Sequence, residues 1–126
     1  MKNAMNSEMD IISKIYNCTE CAHSLPFLPK PILQHSGNAK FILIGQAPRI
    51  KAHQSNKPWN DASGERLRLW LDMTEHTFYD KNTLSIVPMG FCYPGKGKSG
   101  DLPPRPECAP TWHPMLVKQY TSKVIL

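Results

Sequence analysis

No stretch of this sequence approaches the roughly 18 successive apolar residues that a membrane-crossing helix needs. The N-terminal residues mix polar and apolar side chains, with neither a long hydrophobic core nor a small-residue cleavage site, so no signal peptide is read there. Histidines at ligand spacing are missing as well: His23, His35, His53, His76 and His113 show no His-x3-His arrangement, which argues against a zinc hydrolase site. A complete phosphate-binding loop is also absent. Gly90 to Lys96 fits Gly-x4-Gly-Lys, but Gly97 stands where the magnesium-ligating Ser or Thr belongs, and Cys92 lies inside. Nor is this the composition of a disordered chain. At 126 residues, 40% apolar and 20% charged, it reads as one soluble globular domain over residues 1–126.

Cysteine is scarce, and what there is forms a set. Cys18-x2-Cys21 stands near the start, Cys92-x15-Cys108 far downstream, and there are no others. Four thiolates are the full ligand complement of one [4Fe–4S] cluster or of one all-cysteine zinc site. Without a secretion signal the expected location is cytoplasmic, where thiols stay reduced, so a metal centre is favoured over two disulfides. The competing reading is four ordinary buried or free cysteines. His23, two residues after Cys21, reads as a surface residue.

The chain carries Lys+Arg 15 against Asp+Glu 10, a net charge of +5 that suits a nucleic-acid partner without demanding one. Met5, Met9, Ile12 and Tyr16 recur at helical spacing. Pro26, Pro29 and Pro31 mark an extended irregular stretch. Phe41 to Ile44 is a continuous apolar run ended by Gly45, the pattern of a strand buried on both faces of a parallel sheet. A long loop over 46–62 precedes a helix with Leu67, Trp70 and Leu71 on its apolar face, Arg66 and Arg68 pointing away, and Ser63 or Asp61 as its cap. Leu84 to Val87 reads as a second strand, residues 90–108 as a Gly/Pro-rich loop, and Cys108, Trp112, Met115 and Leu116 as a helical stripe. A third strand begins at Lys123. This order predicts an α/β fold, three layers α/β/α around a mainly parallel central sheet, incomplete at the C-terminus because the third strand has no continuation.

In such sheets ligands bind outside the carboxyl ends of the strands. The Gly45-Gln46-Ala47-Pro48 turn and the Gly90–Gly100 loop should therefore converge on one crevice. Gly45 permits close backbone approach and Gln46 supplies an amide. Trp59 is an aromatic face able to stack on a base; the alternative is a loop tryptophan plugged into the core.

In this order, Cys18-x2-Cys21, FILIGQAP (41–48), PWNDASGERLRLWL (58–71) and Cys92-x15-Cys108 resemble the uracil-DNA glycosylase superfamily, above all its iron–sulfur branch and related bacterial proteins. The resemblance implies hydrolysis of the N-glycosidic bond of a uracil flipped out of DNA, a [4Fe–4S] cluster (zinc as the alternative) on Cys18, Cys21, Cys92 and Cys108, and a monomer with uracil-containing DNA as partner and no membrane. By position, Gln46 stands where the family contacts base or water, and Trp59 where a Phe stacks on uracil. Gly45, Ala47 and Pro48 form the pocket turn, and Ser63 and Gly64 open the helix that lines the pocket.

Departures from the family pattern shape the expectation. Ala47 stands where other members carry a water-activating Asp, and Gln46 replaces a Glu that could act as base, leaving Asp61 as the substitute. Arg49 replaces a Gly, and Pro88 falls where the branch places a uracil-reading Asn. The family's His-Pro-Ser-type segment is absent from residues 1–126, so this chain is read as a truncated piece not expected to be active by itself. The rival readings are a non-catalytic DNA- or nucleotide-binding member and a structural four-cysteine module.

Overall fold

A computed structural model describes residues 11–120 and 124–125. Three parallel strands form the sheet: β1 (Phe41–Gly45) in the middle, β2 (Leu84–Pro88) on one side and β5 (Val124–Ile125) on the other. Register runs Phe41↔Leu84 through Gly45↔Pro88, and Phe41↔Val124. Lys123 and Leu126 lie outside the described residues, as do Met5 and Met9. The described part of α1 covers 11–16. There follow α2 (Ile50–Ser55), α3 (Ala62–Trp70), α4 (Glu75–Phe78) and α5 (Cys108–Val117).

Alternation along β1 sends its side chains to two cores. Ile42 joins Ile15, Leu33, Val87, Phe91 and Leu116 on the face covered by α1 and α5. Leu43 joins Phe78, Leu84 and Ile86 on the face covered by α3 and α4. That is the three-layer α/β/α arrangement expected from the pattern. The fit is incomplete at the strand's end, where Ile44 is 37% exposed. The proline-rich stretch bends over residues 25–28 and is free of turns from Pro29 to Gln34, where it shields a sheet edge. Gln34 exchanges backbone hydrogen bonds with Ile86 (3.0 and 2.7 Å), covering the outer side of β2.

Five expectations need correction. The long 46–62 connection contains α2, which closes on Asn56 in the left-handed conformation (φ 57°) that asparagine tolerates well. Trp70 is not on the buried face of α3: at 74% exposure it faces solvent, while Leu67 and Leu71 pack on the core. Arg68 does not point away but turns inward, as described below. The Gly/Pro loop holds a short hairpin, β3 (Lys96–Gly97) with β4 (Gly100–Asp101). The helical stripe over 108–116 holds for Cys108, Trp112 and Leu116, whereas Met115 is 41% exposed.

Candidate functional site

The two strand-end loops meet. The Met89 N–H donates to Gly45 O and the Gly90 N–H to Gln46 O, both at 2.9 Å, so the turn after β1 is sewn to the turn after β2. Beyond this seam lies a cavity of about 510 Å³. Gly45, Gln46, Ala47, Pro48 and Arg49 form one side, and Trp59, Asp61 and Ser63 another. Pro88, Pro94 and residues 101–104 close it. Aliphatic and proline walls with a few converging polar groups are the usual make-up of a small-ligand site, and the volume suits one.

Trp59 is both a core residue and a wall of this cavity, so the two sequence readings of it are not exclusive. Its ring packs on the α3/α4 core, and a Cβ on Gly45 would lie 3.4 Å from its Cζ2. Its backbone is left-handed (φ 58°), an unfavourable state for a bulky residue that costs about 1–3 kcal/mol. Gly64 is not on the cavity wall. It is buried beneath Trp59, where an added Cβ would stand 1.8 Å from the Trp59 carbonyl oxygen.

Asp61 caps α3: its Oδ1 accepts from the Gly64 N–H at 2.9 Å. Its Oδ2 lies 3.9 Å from Arg49 Nε, and the side chain is only 12% exposed. Arg49 also donates to Ser63 Oγ (3.0 Å) and reaches Asp101 Oδ2 (3.5 Å), spanning the cavity mouth from the β1 turn to the hairpin. Gln46 sits exposed at the rim.

The four cysteines come together elsewhere. Cys18 follows α1, Cys21 precedes a 3-10 turn, Cys92 follows β2 and Cys108 opens α5. All four line one small cavity of about 30 Å³ walled by Ile15, Leu25, Phe91 and Trp112. All are half-buried free thiols. The Phe91 N–H donates to Cys108 Sγ at 3.3 Å. The Cys21 thiol donates to Glu107 Oε2 at 3.0 Å, and Arg105 grips Glu107 with two bonds, at 3.1 and 2.8 Å. Burial pushes the Cys21, Cys92 and Cys108 thiols up to about 11, and the charges of neighbouring cysteines add to it. Glu107 is held down at about 2, first by Arg105 and then by Cys21. Among the described residues no group of three or more His, Cys, Asp or Glu side chains has the spacing for a single metal ion. His23 is exposed and is not among the cavity-lining residues.

The sequence reading missed Arg68, Tyr79 and Asp101, which shape the first cavity from behind or across its mouth. A lone Arg on a helix gives no sign of turning inward, so only packing could reveal it.

A family model described as the uracil DNA glycosylase superfamily matches residues 33–126. The matched span holds every residue lining the first cavity except Ile32, together with Cys92 and Cys108, and begins after Cys18 and Cys21. No helix among the described residues is long and apolar enough to cross a membrane.

Proposed function

The chain belongs to the uracil DNA glycosylase superfamily, and we propose that the cavity at the carboxyl ends of its strands receives a uracil flipped out of DNA and serves cleavage of the bond between that base and its sugar. One observation carries this reading: the Gly45–Pro48 turn, Trp59, Asp61 and Ser63 converge on a single cavity at the carboxyl ends of parallel strands. Flipping needs a pocket with a flat apolar face and edge-reading polar groups. Trp59 supplies the face and Gln46 the amide.

In the hydrolysis, the water oxygen bonds to C1′ as the C1′–N1 bond breaks, and the electron pair leaves with uracil. The proton lost by the water goes to Asp61, through the Oδ2 that capping leaves free. Gln46 has no basic atom and orients rather than deprotonates. Arg49, on the cavity lining, supplies a cation able to attract the negative charge that develops on the departing base. The test is excision from a uracil-containing oligonucleotide by the protein and by Asp61→Asn. Release undiminished in the variant removes Asp61 from this role.

The same proposal covers the second cavity. Four thiols around one space, with a backbone N–H aimed at Cys108 Sγ, fit a [4Fe–4S] cluster on Cys18, Cys21, Cys92 and Cys108. A cluster gives each thiolate its own iron and so needs wider spacing than the S···S distances of about 3.8 Å around one tetrahedral zinc. Such a group would supply a cross-link from the N-terminal segment to α5. Iron with cluster absorbance after anaerobic purification supports it, and colourless protein with stoichiometric zinc sinks it. Reduced thiols suit a cytoplasmic setting, and a monomer suffices because every site residue named lies on one chain.

One observation favours a second reading, a binding member without catalysis. Asp61 is already committed to a helix cap and Gln46 is not a base. Tight binding of uracil-containing DNA with no release of the base would select it.

A further inference from the structure

Trp59 needs restraint to stay where it is. Its conformation is the relative orientation of two peptide planes, one carrying the Pro58 carbonyl and the other its own. Each plane is held by a side chain from a different element. Tyr79, which ends α4, donates its hydroxyl to Pro58 O at 2.7 Å. Arg68 of α3 donates from Nη1 to Trp59 O at 3.3 Å and to the Tyr79 hydroxyl at 3.5 Å. The braces are themselves fixed. The Arg68 guanidinium lies 5.3 Å from the Phe78 ring centre, the Phe78 and Tyr79 rings meet edge to face at 5.0 Å, and Lys57 Nζ lies 4.1 Å over the Tyr79 ring. Gly64 leaves the Trp59 carbonyl room to face Arg68.

We propose that Arg68 and Tyr79 are positioning residues: they hold the planes on either side of Trp59 so that its indole stands ready as the base-stacking wall before any ligand arrives. Neither side chain lines the cavity, so they act through Trp59 and touch no ligand. The proposal rests on the reading of the cavity as a base site. Preformed geometry matters because ordering a side chain at the moment of binding weakens affinity.

The experiment uses protein labelled with 5-fluorotryptophan, the Trp59 resonance being assigned through Trp59→Phe. Two DNA oligonucleotides are compared, one with a single uracil and one with a stable abasic analogue at the same place. Tyr79→Phe keeps the ring and loses only the hydroxyl; Arg68→Lys keeps the charge that attracts DNA and loses the fork. In both variants the Trp59 resonance should shift or split, and the dissociation constant for the uracil oligonucleotide should rise about tenfold while that for the abasic one changes by less than about twofold. An unchanged resonance in both variants overturns the proposal. So does a changed resonance with no loss of preference for uracil, or equal weakening toward both oligonucleotides. If Trp59→Ala binds the two oligonucleotides as the parent does, the base-stacking reading fails instead, and the fluorine signal still decides whether Arg68 and Tyr79 hold Trp59.

Discussion

Gly64→Ala should be among the most damaging single-methyl additions to this protein. The new Cβ would meet Trp59 O at 1.8 Å, Trp59 C at 2.7 Å and Trp59 Cβ at 3.1 Å. Restoring ordinary contact needs a movement of roughly 1.5 Å, and the atoms in the way are backbone rather than a side chain able to rotate aside. That backbone is pinned by Arg68 and Tyr79, so relief must break those bonds or pull α3 off its core. Overpacking of this kind costs about 1–3 kcal/mol or more. Alanine returns up to about 1 kcal/mol in helix propensity, less in a first turn. The expected net loss is about 1–3 kcal/mol, a fall of about 3–12 °C in Tm for a chain of this size. Urea unfolding followed by far-ultraviolet circular dichroism measures it. A variant as stable as the parent would refute the reasoning, because it would mean the Trp59 backbone yields freely.

Asp61→Ala should lose about 1 kcal/mol by uncapping α3 while Asp61→Asn, itself a good cap, holds its stability; equal losses in urea unfolding would take away the capping role. Arg49→Ala should cost less than about 1 kcal/mol, since its ion pairs sit on a side chain 59% exposed, and a loss above about 2 kcal/mol would show instead a structural clamp across the cavity mouth. Burial lowers both His53 and His113, so the unfolded chain takes up protons first as pH falls. Their contribution to stability is therefore whole above the ordinary histidine value of about 6.5 and declines below it, down through the lowered folded values. Urea midpoints taken from about pH 7 to about pH 5 should fall, less steeply in His113→Gln, and a parallel fall in that variant would clear His113.

The fold was legible where period and local chemistry agree. Phe41–Ile44 before Gly45, and Leu84–Val87 before Pro88, read as strands on composition alone, and their order with the helices pointed to the parallel sheet. Legibility failed where a residue's direction is decided by tertiary contact. Trp70 and Arg68 exchange the places that apolarity would assign them: the tryptophan faces solvent, and the arginine turns in because Trp59 O and the Tyr79 hydroxyl are there to receive it. The short α4 and the β3–β4 hairpin escape notice because four-residue and two-residue elements carry no periodicity. Gly45–Pro48, Trp59, Asp61 and Ser63, which the sequence singles out as site candidates, line one cavity. Gly64 lies one layer behind the cavity wall rather than in it, for its lack of a side chain serves the backbone of Trp59.

The two cavities share a wall, and this gives the cysteines a bearing on the first cavity. Gly90, Phe91 and Cys92 line the cysteine side, whereas Pro88 and Pro104 line the other. A Cβ on Gly90 would come within 2.9 Å of Pro104, and the Gly90 N–H is bonded to Gln46 O. Anything that fixes Cys92 thereby limits the play of Gly90, and through one hydrogen bond that of the Gln46 turn. Binding that holds the folded state but not the unfolded one raises the free energy of every opening that must release the ligand first. Loading the thiols with metal should then slow hydrogen exchange at the Gly90 and Met89 amides, and removing it should restore the faster rate. Exchange at those two amides that ignores metal, while the Phe91 amide slows, would show that the wall does not transmit restraint and that the cysteines secure only the N-terminal segment and α5.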